Sequence, residues 1–173
     1  MTRLHGGRML ACAAVASVSL VAACGTDAAP SGQDSAPAGS VSASALPAIT
    51  PITCDPSTVA PGETVTRSAG GHDSAISVVA DYHWAIITAR DSARAIDAIA
   101  PNEDMGKPQF IEQALAGYPP GTTYCLRLRQ TAPDTVLFTL TYQSPAGATG
   151  EYKLRATVSG PPGDVQLRGE VAQ

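Results

Sequence analysis

The sequence predicts an α+β domain: three N-terminal helices packed on a four-stranded antiparallel meander, cone-like in shape, following a signal peptide and a disordered tether. Two observations carry the fold. Between Ser74 and Gly117 the apolar residues recur at about 3.6-residue intervals, and from Tyr124 onward the period becomes two. A third observation, the stretch rich in Ala, Ser, Pro and Gly before Cys54, separates the folded part from the leader.

Asp73 or Ser74 caps the first helix. Ile76, Val79, His83, Ile86 and Ile87 form its apolar stripe, widened by Val78, Tyr82, Ala85 and Ala89. Asp91-Ser92 breaks it and caps a second helix, whose inner residues are Ala93, Ile96, Ile99 and Ala100 and which Pro101 stops. Pro108 opens the third, with Ile111, Ala114 and Leu115 inward and Gly117 at its end. The YPPG sequence from Tyr118 to Gly121 is a turn.

Four alternating segments follow. Tyr124, Leu126 and Leu128 alternate with Cys125, Arg127 and Arg129; Val136, Phe138, Leu140 and Tyr142 with Leu137, Thr139 and Thr141. Tyr152, Leu154, Ala156 and Val158 alternate with Lys153, Arg155 and Thr157; Val165, Leu167 and Val171 with Gln166, Arg168 and Glu170. Short connections make these an antiparallel meander, apolar on one face and polar on the other. Helices before strands indicate α+β, with the helices on the apolar face. The stretch CDPSTVAPGETVT, from Cys54 to Thr66, is compatible with the first strand of an immunoglobulin-like sandwich. The helical stretch after it does not fit such a sandwich.

The leader, residues 1–23, carries Arg3 and Arg8 and then an uncharged run from Met9 to Ala23. This is the pattern of a secretion signal, and the run is short for a membrane span, which takes about 20 apolar residues. Val21-Ala22-Ala23-Cys24 resembles the bacterial lipobox. The resemblance implies cleavage before Cys24 and a lipid on its thiol, a residue required because a thiolate is the nucleophile. Two or more acyl chains, palmitate among them, give stable anchoring. Residues 24–53 read as a disordered tether; the roughly 28 residues from Gly25 to Ile52 span about 30 Å root-mean-square as a coil. The extracytoplasmic domain runs over 54–173.

Of four cysteines, Cys12 leaves with the leader and Cys24 is acylated. Cys54 and Cys125 remain on the oxidising side of the membrane and are expected to pair. Two cysteines without nearby histidines fall short of a metal site, so no metal is expected. Without Arg3 and Arg8 the chain has nine basic and 15 acidic residues, a net charge of −6. That argues against binding nucleic acid. The charge is uneven: Cys54 to Gly121 holds four basic and nine acidic residues, whereas the polar strand face holds Arg127, Arg129, Lys153, Arg155 and Arg168 against Glu170. Such a face suits an anionic headgroup, a wall polymer or an acidic partner, or is a solvated face kept charged against edge pairing.

Three helices before a curved antiparallel sheet resemble the cystatin-like cones of the nuclear-transport-factor and ketosteroid-isomerase type. More narrowly, Tyr82-His83-Trp84, Arg90-Asp91-Ser92-Ala93-Arg94-Ala95, Pro101 and Pro120-Gly121-Thr122-Thr123-Tyr124-Cys125 resemble a group of uncharacterised secreted and cell-envelope domains of actinobacteria. That group often has two adjacent tyrosines where Tyr82 and His83 stand. The resemblance implies fold and location, not an activity. In an isomerase-like cone His83 would be the acid or base, with Tyr82 and Asp97 as further candidates; the plain alternative is a packed core histidine. Asp81 and Trp84 share the more polar side of the first helix with Ser77 and Thr88. Trp84 either anchors a partner or packs under the segment from Cys54 to Gly71.

No G-x-S-x-G, P-loop, Rossmann glycine pattern or H-E-x-x-H occurs. The expected protein is therefore a lipid-anchored binding or interaction module on the outer face of the cell membrane, with no cofactor. An enzyme with a pocket around Tyr82 and His83 is the first alternative. A homodimer through the sheet face is the second, opposed by the like charges that would meet across its two-fold.

Overall fold

The computed structural model describes residues 50–173. The leader expected over 1–23, Cys24 with its expected lipid, and nearly all of the tether expected over 24–53 lie outside the described residues.

Ser74 opens helix α1, Ala75–Trp84, because its hydroxyl accepts the backbone N–H of Ser77 at 3.2 Å. Val78, Val79 and Tyr82 of α1 are buried. The helix continues as one π turn, Ala85–Ala89, and ends at Arg90 in the left-handed region at φ 55°. Arg90 then reaches across to the end of the third helix, where its guanidinium donates to the carbonyls of Leu115 (2.8 Å) and Tyr118. This satisfies carbonyls that a helix end leaves open.

Asp91 caps helix α2, Ser92–Asp97, by accepting the Arg94 N–H at 3.0 Å. The expected second helix reached Ala100; the real one stops at Asp97. Ala98 caps it in right-handed geometry, and from there the chain to Ala100 pairs with the last strand instead. Leu167 N–H donates to Ala98 O and Ala100 N–H to Leu167 O, each at 2.8 Å. Ile99 is thereby brought into the core by a strand-like bridge, and Ile96, expected inside, is left 42% exposed. Helix α3, Pro108–Gly117, starts on its proline, buries Ile111 and packs Ala114 and Leu115 against the core.

The sheet has five strands, not the four expected. They are β1 (Thr64–Thr66), β2 (Thr123–Ala132), β3 (Thr135–Gln143), β4 (Thr149–Ser159) and β5 (Gln166–Ala172), antiparallel and in sequence order. The added β1 pairs Val65 with Arg127 of β2. The disulfide Cys54–Cys125, with 5.2 Å between Cα atoms, ties the segment before β1 to the same strand.

Leu126, Leu128, Val136, Phe138, Leu140, Ala156, Val158 and Leu167 make the inner sheet face, and with Val78, Val79, Ile86, Ile87, Ile99 and Ile111 they form one core. At one end of this face Tyr142 stacks on Tyr152 at 5.7 Å, and Tyr118 meets Tyr142 edge-on at 5.3 Å. Tyr142 pairs across strands with Gly150, where a Cβ would overlap its ring, so glycine is what lets the ring lie on the sheet.

Candidate functional site

The end of α1 brings Tyr82 and His83 onto the sheet, where a departure from the expected alternation gives them a third partner. Within β5, Leu167 pairs with Val158 but Gly169 pairs with Thr157, so Arg168 is an extra residue in a bulge. Beyond it the faces exchange. Glu170 pairs with Ala156 on the inner side, and Val171, expected inside, pairs with Arg155 on the outer side and is 50% exposed. Glu170, assigned from its alternation to the polar face, instead sits 3.1 Å from His83 Nε2 through its Oε1. The imidazole is buried between the rings of Tyr82 (5.3 Å) and Phe138 (5.2 Å). The signal available for this was Gly169, since a glycine inside a strand marks a bulge.

Burial, reinforced by the Glu170 carboxylate and Tyr118, pushes the Tyr82 phenol well above its ordinary pKa. Burial does the same to Tyr118. Both phenols stay protonated at neutral pH. Asp97, the third candidate of the cone, is not brought to this cluster. Its carboxylate is 77% exposed at the end of α2, 3.4 Å from His72 Nε2. Five concavities of the surface are lined by other residues than Tyr82 and His83. The His83–Glu170 pair is thus a hydrogen-bonded, packed unit that satisfies two polar groups inside the helix–sheet interface.

The polar side of α1 is built differently from its expected form. Asp81 is buried, not surface-facing. Its two oxygens receive Arg94 Nε at 3.2 Å each, and Arg94 Nη2 lies 2.6 Å from Oδ1, a fork-to-fork pair joining α1 to α2. The same guanidinium stacks over Trp84, 4.6 Å from the ring centroid. Trp84 is half-buried and lines a cleft of about 490 Å³ opposite Arg67, Ser68 and Ala69. The segment before α1 therefore faces the indole across an opening.

The outer sheet face carries four of the five expected cations. Arg127 and Lys153 stand in one cross-strand row on either side of Thr139, and Arg129 and Arg155 in the next row on either side of Leu137. The fifth, Arg168, is carried by the bulge to Glu103, which receives its Nε at 2.7 Å and lies 2.6 Å from its Nη2. Arg127 pairs with Glu63 at 3.1 Å and Lys153 lies 3.8 Å from Glu151. Among the described residues Arg129 and Arg155 have no ion-pair partner. A shallow groove of about 210 Å³ runs between Arg127, Arg129 and Lys153, with Glu63 at its side. Among the described residues no three His, Cys, Asp or Glu side chains come together as a metal site.

These elements define a small α+β domain with helices on one face of an antiparallel meander and an open, basic opposite face. The chain belongs to the family described as a domain of unknown function, DUF8176, whose model matches residues 52–169. The match runs from just before Cys54 to the bulge in β5. No curated protein and no solved structure matches the chain.

Proposed function

We propose that this protein is a lipid-anchored binding module of the cell envelope, and that the outer sheet face is its contact surface for an anionic envelope component. The lipid on Cys24 holds it on the outer face of the membrane, and the tether lets the domain, a cystatin-like cone of the actinobacterial envelope group, search the space above. The observation that carries the reading is the pair of cross-strand rows, Arg127 with Lys153 and Arg129 with Arg155, on a domain whose helical side is acidic. Two of these cations lack an intramolecular partner among the described residues, so an incoming phosphate or carboxylate meets donors that are not already spent. The same charges oppose a second copy of the face across a two-fold axis.

The test uses the full chain in neutral detergent. It is retained on immobilised polyphosphate, elutes as salt rises, and passes through neutral dextran. Arg129→Ala with Arg155→Ala abolishes the retention without changing the thermal midpoint by more than about 2 °C, as befits exposed positions. Retention unaffected by the double substitution, or absent in the parent, refutes the reading. The anchor is tested separately: palmitate labelling in the native host is lost in Cys24→Ala.

A further inference from the structure

The disulfide fixes where the tether meets the sheet. Cys125 stands between Tyr124 and Leu126, whose side chains belong to the core, so it lies on the outer face in line with Arg127 and Arg129. Its bond to Cys54 pins the start of the domain to that same face. The tether expected over 24–53 therefore joins the domain on its basic side. Arg129 is four residues further along β2, about 13 Å at a strand rise of about 3.3 Å per residue. It begins a cross-strand row in which cations and apolar side chains alternate: Arg129, Leu137, Arg155 and Val171, one from each of β2 to β5. Arg129 and Arg155 are exposed and without an ion-pair partner among the described residues, and Val171 is 50% exposed. The row nearer the tether, Arg127 with Lys153, is balanced in part by Glu63 and Glu151.

We propose that the anionic component met by this face is the phospholipid headgroup layer of the membrane that carries the chain's own anchor, so that the domain lies on it sheet side down. The proposal rests on the anchored, basic-face reading above and names its partner. The tether arrives on the correct side, and a coil of about 30 Å reaches past the row without stretching. It also holds the face near the membrane at an effective concentration on the order of millimolar, so a contact of few cations is populated. Arg129 and Arg155 meet headgroup phosphates. Leu137 and Val171, set between and beside them, enter the boundary where headgroups give way to acyl chains. A free polyanion has partners for the guanidiniums and none for those two apolar side chains. The segment Cys54 to Gly121, which supplies the helices, holds nine acidic residues against four basic, so an anionic surface repels the opposite side of the domain. One orientation is left.

The full chain, purified with its lipid, is reconstituted into nanodiscs of phosphatidylcholine alone or with about 30% phosphatidylglycerol, each doped with a lipid whose headgroup chelates gadolinium. Amide relaxation enhancement then reports which side of the domain lies near the headgroups. From the neutral to the anionic discs it is expected to rise at least threefold at Arg129, Leu137, Arg155 and Val171, and not to rise on α2 and α3. Each cation at an anionic surface is worth about fivefold in partitioning, so Arg129→Ala with Arg155→Ala returns these amides to their values in the neutral discs. Salt at about 1 M, which shortens the Debye length to about 3 Å, does the same to the parent. No rise at the row, an equal rise on α2 and α3, or a rise that survives the double substitution overturns the proposal. Polyphosphate retention separates the two levels. If it persists when the nanodisc result is negative, the basic face is a contact surface whose partner is a polymer rather than the membrane; if it is absent as well, the reading of the basic face falls too.

Discussion

The pair between Asp81 and Arg94 is unequal, and replacing each partner in turn exposes the inequality. The Asp81 side chain is 3% exposed and the Arg94 side chain 38%. In Arg94→Met the apolar stem and a contact with Trp84 survive, but the Asp81 carboxylate keeps its burial and loses its only ion pair among the described residues. Stripping one partner from a buried pair costs about 3–5 kcal/mol, because the remaining charge is neither solvated nor neutralised. In Asp81→Asn the guanidinium left behind is more than a third exposed and turns to water, and the amide oxygen still accepts one of its donors. After discounting for that solvent, about 1–2 kcal/mol is lost. Arg94→Met is therefore expected to cost at least about 1 kcal/mol more than Asp81→Asn, about a fivefold difference in the unfolding constant. Adding Asp81→Asn to Arg94→Met should recover part of the loss, since the orphaned charge goes with it. Urea unfolding followed by Trp84 emission measures all three on one transition. Equal costs for the two single variants, or a larger cost for Asp81→Asn, would refute the argument that burial of the carboxylate governs this pair.

Three further outcomes follow from the interior. Glu170→Ala leaves a buried His83 nitrogen without its partner and is expected to cost about 1–3 kcal/mol in urea, whereas Glu170→Gln keeps a hydrogen bond and costs less than half as much; equal losses would show that the pair does not act through hydrogen bonding. Reducing the Cys54–Cys125 disulfide, which closes a sequence separation of 71 residues, removes about 4 kcal/mol on the chain-entropy model, so dithiothreitol should lower the thermal midpoint of the parent but not of a Cys54→Ser/Cys125→Ser variant. Burial raises the Tyr82 and Tyr118 phenols and lifts Tyr124 from 10.0 to about 12. Their contribution to stability is complete below the unfolded tyrosine value near 10 and is lost as pH rises through the folded values. The share of the tyrosinate absorbance due to these three of the chain's five tyrosines should accordingly rise with alkaline unfolding rather than before it, and ionisation of these phenols near pH 10 in a still-folded protein would contradict their burial.

Local chemistry made much of this molecule legible beforehand. The hydroxyl of Ser74, the carboxylate of Asp91 and the ring of Pro108 act on backbone groups within a few residues, so the three helix starts could be read from the chain alone. Alternation identified β2, β3 and β4 because each is long enough to repeat its period several times. The three residues of β1 do not complete that pattern, and the strand exists because β2 offers an edge and the Cys54–Cys125 disulfide holds the chain beside it.

What the sequence by itself determined is the α+β order, the helix caps, the pairing of the two cysteines left to the domain, and four of the five positions of the basic face. The tertiary structure decided how those pieces meet. A strand's period cannot announce where its partner will force a bulge, and one extra residue at Arg168 exchanged every side chain after it, turning Glu170 in to His83 and Val171 out. In the same way Asp81 reads as surface on a helical wheel, because a wheel has no knowledge of Arg94 arriving from the next helix. Ile99 left its helix because hydrogen bonds to Leu167 were available there. Each of these outcomes is set by long-range partners, whose positions depend on the register of the whole sheet rather than on any neighbouring residue.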